Sequence, residues 1–235
     1  MRRTPAQLSR ERKLAARESA AADPGGEPQG SAYELMLVQL AEHRRALKDI
    51  QSIERKIEAK RLFLPNYDPW IDGVLQAGSG AQDTVLMTAL VWHIDAGNYG
   101  RALQIARHAI AHDLQPPDQY ERTLGTILID EFAAAALGGQ MAADDARQLL
   151  PQVSELTDPL DAPDQARAKL HKAIGYALLG KAGAADVDLD KVTRSDARAA
   201  LPHLQRALAL FDQVGVKKDI ERLERWLKKP ANQAP

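Results

Sequence analysis

The stretch GAQDTVLMTALVWHIDAGNYGRALQIARHAI, residues 80–110, decides the fold class of this chain. Apolar residues recur at helical spacing in its first half and again in its second half, with Gly97 and Asn98 between them. Because glycine and asparagine break helices, the pattern predicts two amphipathic helices that fold back on each other. One such pair cannot bury its own apolar face, so neighbouring helices must cover it. Nothing in the stretch is typical of catalysis, and it indicates assembly and recognition.

The composition favours helix along the whole chain. Of the 235 residues, 45% are hydrophobic and only 5% are aromatic, so an all-α fold is expected. We predict a long N-terminal helix followed by helical hairpins, and the turn at residues 97–103 resembles the corner of a tetratricopeptide-like hairpin. The absence of cysteine excludes disulfides and fits a reducing compartment. No apolar run approaches the roughly 20 residues that span a bilayer, so no membrane partner is expected.

Breaks in the pattern predict four segments. Residues 1–30 end in a stretch rich in glycine and proline, which predicts a flexible basic arm with a linker. Residues 31–62 predict one long helix with Ser31 as its N-cap. A helical-hairpin domain is expected over residues 63–229, followed by a disordered tail at residues 230–235.

The predicted helix at residues 31–62 carries a narrow apolar stripe near a 3.5-residue repeat. Such a stripe is too thin for a buried globular helix and favours packing against a second copy or a partner. We therefore predict that this helix is the oligomerisation element. The stripe residues assigned to that role are Met36, Leu40, Leu47 and Ile50.

Charge is distributed unevenly along the chain. Residues 62–165 hold four basic and fifteen acidic side chains, whereas residues 166–235 hold fourteen and eight. A polyanion would be attracted to the ends of the chain and repelled by the middle, although solvated faces with ion pairs along each helix would explain the same pattern. The candidate DNA-contacting residues are Arg2, Arg3, Arg10, Arg12, Lys13, Arg17, Arg44, Arg45, Lys48, Lys217, Lys218 and Arg222.

Two motifs resemble known chemistry but fail its requirements. Residues 175–182, GYALLGKA, have the spacing of a phosphate-binding loop, yet Ala182 replaces the Ser or Thr that holds Mg²⁺ and the segment has a helical pattern. We therefore predict that Lys181 is structural. His108 and His112 are four residues apart, as zinc ligands are, but no third ligand is evident. No metal, cofactor or catalytic residue is predicted.

Several segments, in consistent order and spacing, resemble the small terminase subunit of temperate tailed bacteriophages, of the gpM type. They cover most of residues 32–225 and are AYELMLVQLAEHRRALK, PNYDPW, GVLQAGSGAQDTVLMTALVWHIDAGNYGRALQIARHAI, DQARAKLHKAIGYALL and HLQRALALFDQVGVKKDIERLER. The resemblance implies a subunit that recognises concatemeric double-stranded viral DNA and presents it to the large terminase subunit, an ATPase and nuclease. It also implies a homo-oligomeric ring that acts in the host bacterial cytoplasm.

Two alternatives stay open. Members of this family are also described as endonuclease subunits, which would require metal-dependent cleavage by carboxylates brought together on folding. The candidates for that role are Asp130, Glu131, Asp144, Asp145 and the acidic run at residues 186–190. The second alternative is a tetratricopeptide-like scaffold that binds peptides and has no affinity for DNA. Residues 1–30 lack the apolar residues of the helix-turn-helix found in many small terminases, so phosphate contacts from basic surfaces are expected instead.

Overall fold

The computed structural model describes residues 3–117, 121–181 and 187–229, and the regular structure in these ranges is entirely helical, which confirms the all-α prediction. The chain divides into two compact units, unit 1 (Met1–Glu121) and unit 2 (Arg122–Pro235). None of the helices in the described ranges has the length and apolar character to cross a membrane. The helices are α1 (Pro5–Ala20), α2 (Ser31–Asp49), α3 (Ile53–Phe63), α4 (Asp68–Ala77), α5 (Thr84–Asp95), α6 (Tyr99–Ala111), α7 (Leu124–Leu137), α8 (Ala143–Thr157), α9 (Asp164–Leu178), α10 (Arg194–Leu210) and α11 (Lys217–Lys228), with a 3₁₀ turn at Leu64–Asn66.

The two helices predicted from residues 80–110 are α5 and α6, which contact each other. Asp83 begins α5, because its carboxylate accepts the backbone N–H of Leu86 at 2.9 Å and the indole N–H of Trp70 at 2.7 Å. Burial raises the pKa of Asp83 to about 6. Gly97 adopts a φ of +81° at the turn between the helices, a conformation that glycine adopts without steric cost.

The helix predicted at residues 31–62 is two helices in the structure. Helix α2 ends at Asp49, and Ile50 follows it with extended backbone at φ −89° and ψ 126°. The Ser52 side chain then accepts the backbone N–H of Arg55 at 3.3 Å and begins α3. The three residues between the helices include neither glycine nor proline, so Ser52 is the main sequence signal for this break, and the prediction of one long helix overlooked it.

Residues 5–20, predicted as part of a flexible arm, form helix α1 and pack on α4. Ala15 and Ser19 are fully buried, and the Ser19 hydroxyl lies 2.5 Å from that of Ser79. The two helices meet at Gly73, where an added Cβ would lie 2.5 Å from both the Arg12 carbonyl oxygen and the Ala15 Cβ. The residues at 230–235, predicted as a disordered tail, lie outside the described part of the chain.

A buried glutamate joins α1 to α2. The Glu18 carboxylate is 6% exposed and accepts the backbone N–H groups of Ala32 at 3.3 Å and Tyr33 at 2.9 Å. These amides belong to the first turn of α2 and have no partner within the helix. Glu18 therefore caps α2 in place of Ser31, which was predicted as the N-cap but is the first residue of the helix.

An aromatic cluster connects α2 and α3 with α5 in unit 1. The His43 ring stacks on Phe63 with centroids 3.8 Å apart, and its Nδ1 lies 2.7 Å from the hydroxyl oxygen of Tyr67. Tyr67 in turn contacts Trp92 edge to face at 6.0 Å. Burial raises the pKa of Tyr67 well above its usual value. The cluster explains how α3, which has no fully buried residue of its own, is held to the rest of the unit.

Helix α9 lies at the centre of unit 2 and contacts α7, α8 and α10. Leu204 of α10 packs over Gly175, where an added Cβ would lie 2.6 Å from the leucine side chain. The same pair of helices brings His171 and His203 together, with their Nδ1 atoms 3.1 Å apart. Burial, with His203 and two nearby arginines, lowers the pKa of His171 to about 4.

Replacing Gly73 with alanine should destabilise unit 1, because the new methyl group would contact backbone atoms of α1 that cannot rotate away. We expect a loss of about 1–3 kcal/mol in the free energy of unfolding, measured by urea denaturation. The matched control is Gly100→Ala in α6, where a Cβ has open space. That variant should be as stable as the parent or slightly more stable. Equal effects of the two substitutions would contradict the close approach of α1 and α4.

Unit 2 should lose stability in mild acid through His171. The fold favours the neutral imidazole, so its contribution is complete above the unfolded pKa of 6.5 and is lost as the pH falls toward about 4. Because the side chain is half-buried, we expect a loss of roughly 1 kcal/mol between pH 7 and pH 5. Urea midpoints of His171→Gln should depend less on pH than those of the parent.

Candidate nucleic-acid interface

Helix α1 carries a basic stripe on the side that faces away from α4. Arg10, Lys13 and Arg17 are spaced three and four residues apart, so they share one face of the helix. All three are exposed, whereas Ala15 and Ser19 on the opposite face are fully buried. Packing of α1 therefore presents these three cations to solvent as a fixed row, which we call the α1 stripe.

Other predicted residues of the first segment have partners within unit 1. The Arg3 guanidinium forms an ion pair with Glu11 at 2.9 Å and donates to the Asn66 carbonyl oxygen at 3.2 Å. Arg12 lies 3.7 Å from the Asp72 carboxylate. These two arginines contribute to packing around α4 and are less available to a ligand than the α1 stripe. Arg2 lies outside the described residues.

The three basic residues predicted on α2 line one shallow groove of about 330 Å³ beside Thr84. Arg45 and Lys48 are exposed. Arg44 is half-buried, and its guanidinium donates to the Thr88 hydroxyl oxygen at 2.7 Å. Its Nε is buried without a partner among the described residues. Arg44 therefore orders the groove, and the other two cations face solvent.

A second basic row lies on α11, in unit 2. Lys218 and Arg222 were predicted as DNA contacts, and Arg225 follows them at the interval that keeps all three on one face. These residues are exposed, while Ile220 and Leu223 on the opposite face are buried. We call Lys218, Arg222 and Arg225, with Lys229 at the C-cap, the α11 stripe. Lys217, the remaining predicted residue of this helix, is exposed beside it.

Arg225 and Lys229 were missed by the sequence prediction, although their signal was present. The spacing of four, three and four residues from Lys218 to Lys229 is visible in KKDIERLERWLKK. Recognising it required the position of the buried face of α11, which the structure supplies through Ile220 and Leu223.

The residues predicted to mediate oligomerisation are largely internal. Leu40 is 2% exposed and Leu47 is 8% exposed, because α1 and α5 pack against α2. Met36 and Ile50 are half-buried. The two leucines therefore belong to the core of their own unit and are not available for contact with a second copy of the chain. Among the described residues, the large exposed apolar side chains are instead Leu35, Val38, Ile53 and Leu62, all in the predicted segment at residues 31–62.

The carboxylates considered for metal binding are engaged elsewhere or dispersed. Asp130 and Glu131 both pair with Arg122, at 3.1 and 2.8 Å. Asp188 pairs with Lys191 at 3.0 Å, and residue 186 lies outside the described ranges. Within residues 3–117, 121–181 and 187–229, no group of three or more His, Cys, Asp or Glu side chains is placed to hold a metal ion.

The chain is similar to known phage proteins over most of its length. The profile of the phage small terminase subunit family matches residues 37–165. The terminase endonuclease subunit of Escherichia phage P2 is 45% identical over 197 residues, which cover 83% of this chain and 74% of that protein. The probable terminase endonuclease subunit of Haemophilus phage HP1 is 26% identical over 104 residues, or 44% of this chain and 37% of that protein.

No solved structure shows significant similarity to this chain, so the tetratricopeptide-like character of its hairpins stays a prediction. The family profile spans more than half of the chain, and the phage P2 relative is similar across both units. The all-helical structure, with its exposed basic rows, agrees with the resemblance that the sequence segments indicate. This chain belongs to the phage small terminase subunit family.

Proposed function

We propose that this chain binds double-stranded viral DNA in the infected bacterial cell and presents it to the large terminase subunit for packaging. The observation that carries this proposal is the pair of solvent-facing basic stripes on α1 and α11. Each is held rigidly, because the opposite face of its helix is buried. Family membership supplies the substrate and the larger partner.

The geometry of the stripes suits a DNA backbone. Arg10 and Arg17 are seven residues apart on α1, which corresponds to about 10 Å along the helix. Lys218 and Arg225 have the same separation on α11. Rows of this length reach successive phosphates of one strand, so they position the protein without reading bases. Binding of this kind is strongly weakened by salt.

We further propose that the chain assembles into a homo-oligomer through the exposed face of α2. Leu35 is 65% exposed and Val38 is 59% exposed, and Glu42 and Arg45 continue the same face with opposite charges. Burial of two large apolar side chains favours association, and the mixed charges beside them allow pairing between copies. The segment is the one predicted from sequence, with a different set of residues.

A second candidate function is metal-dependent DNA cleavage. It is favoured by the names of the two relatives, which describe endonuclease subunits. Metal-dependent cleavage of DNA by the highly purified chain, without the large subunit, would establish it. Lack of cleavage together with tight DNA binding would favour the recognition role alone.

Neutralising the α1 stripe should weaken DNA binding. For Arg10→Gln combined with Arg17→Gln, the slope of log K against log salt should fall by about 2, because each lost phosphate contact removes about 0.9. Binding isotherms over a salt series measure this slope. The matched control is Arg55→Gln with Lys56→Gln on α3, which removes the same charge outside both stripes. A parent protein without DNA affinity at low salt would contradict the proposal and favour the peptide-binding scaffold.

Placing acidic residues on the exposed face of α2 should dissociate the oligomer. Leu35→Glu with Val38→Glu is expected to give a smaller mass by light scattering at micromolar concentration, with unchanged helical content. Gln51→Glu with Gln76→Glu adds the same charge at exposed positions outside this face and should assemble like the parent. If the α2 variant stays fully assembled, the interface lies elsewhere.

A further inference from the structure

Unit 2 contains a cleft of about 600 Å³ where the end of α9 meets the start of α11. Its wall is unusually basic. Acidic side chains from the same wall offset only part of the positive charge. The charged residues that line the cleft are Lys172, Lys181, Lys217, Lys218, Asp212 and Asp219.

Two of these lysines are anchored by the protein itself. Lys181 Nζ lies 4.0 Å from the centroid of the Tyr176 ring and 3.5 Å from the Asp219 carboxylate, which also accepts the Tyr176 hydroxyl at 2.5 Å. Lys172 Nζ donates to the Val214 carbonyl oxygen at 2.8 Å. Asp219 therefore forms its ion pair with Lys181 and acts on Lys172 only through its charge, whereas the hydrogen bond of Lys172 goes to a neutral carbonyl oxygen. Burial and the nearby Lys181 lower the pKa of Lys172.

Lys217 and Lys218 add two cations at an unfavourable position. They lie in the first turn of α11, where the helix dipole disfavours positive charge, and the N-cap residue Val216 provides no side-chain cap. Both are exposed and have no hydrogen-bond or ion-pair partner among the described residues. The cleft thus has a surplus of positive charge that an anion would neutralise.

Lys181 belongs to the segment that has the spacing of a phosphate-binding loop. Residues 175–178 of this segment are the last turn of α9, and Gly175 is covered by Leu204. Gly180, with a φ of +66°, ends the helix and directs the chain so that Lys181 lines the cleft. The lysine is therefore structurally anchored and also contributes to the basic wall.

We propose that this cleft binds a phosphate group through Lys172, Lys217 and Lys218. Phosphate is favoured over an isolated carboxylate because it offers several acceptor oxygens to the three lysines that line one cleft. The cleft is also continuous with the α11 stripe through Lys218, as a polyanion backbone would require. The phosphate comes either from DNA, in which case the inference rests on the proposed function, or from a small phosphate compound.

Calorimetric titration of the full chain with inorganic pyrophosphate tests the cleft directly. The parent should bind pyrophosphate. The variant Lys217→Gln with Lys218→Gln, which removes the charges of two exposed side chains, should bind it at least about tenfold more weakly. Lys172→Gln, checked for folding by circular dichroism, should give a similar loss. The matched control is Lys191→Gln with Arg198→Gln, two exposed residues of unit 2 that do not line the cleft. It should bind as the parent does.

A salt series with duplex DNA identifies the source of the phosphate. A lower salt slope for both cleft variants assigns it to the DNA backbone, and an unchanged slope assigns it to a small compound. The inference is overturned if the parent does not bind pyrophosphate, or if the cleft variants bind it as tightly as the control. DNA binding by the parent would then leave the proposed function standing. Pyrophosphate binding without any DNA affinity would contradict the proposed function alone.

Discussion

The close contact between α1 and α4 at Gly73 is the constraint on which the arrangement of unit 1 depends. No side chain fits between the glycine and the Arg12 carbonyl oxygen, so the two helices approach until their backbones nearly touch. This contact buries Ala15 and Ser19 and places Glu18 at the start of α2. A segment that would be a mobile tail on composition alone becomes a rigid support for a row of cations.

Some acidic side chains in the middle of the chain form ion pairs that connect helices within each unit. Asp72 accepts from Arg101 at 2.5 Å and lies near Arg12, so one carboxylate connects α4 with α1 and α6. Asp130 similarly lies between Arg122 and Lys169. These half-exposed pairs contribute modestly to stability, but they use the acidic groups internally. Among the described residues, the basic side chains of the two stripes have no such acidic partner, and they stay exposed.

Unit 2 follows the same principle with a different helix. Helix α9 is covered by α10 at Gly175, and α11 packs by Ile220 and Leu223 against the resulting core. The free face of α11 is basic, and its first turn opens on the lysine cleft. In both units, a peripheral helix buries its apolar side and exposes a basic side, so each unit has a basic surface of its own.

Sequence patterns alone were sufficient to predict the all-helical class, the α5 and α6 pair, the family and the enrichment of positive charge toward both ends. These properties depend on composition, local periodicity and the order of segments, which can all be read directly from the sequence. The three-dimensional packing was needed to establish that Leu40 and Leu47 are internal, that the helix breaks at Ile50 and that residues 5–20 are packed. Burial of a helix face depends on which other helix packs against it, and a local sequence pattern does not identify that helix. For the same reason the lysine cleft could not be foreseen, since Lys172 and Lys217 meet only when α9 and α11 are brought together.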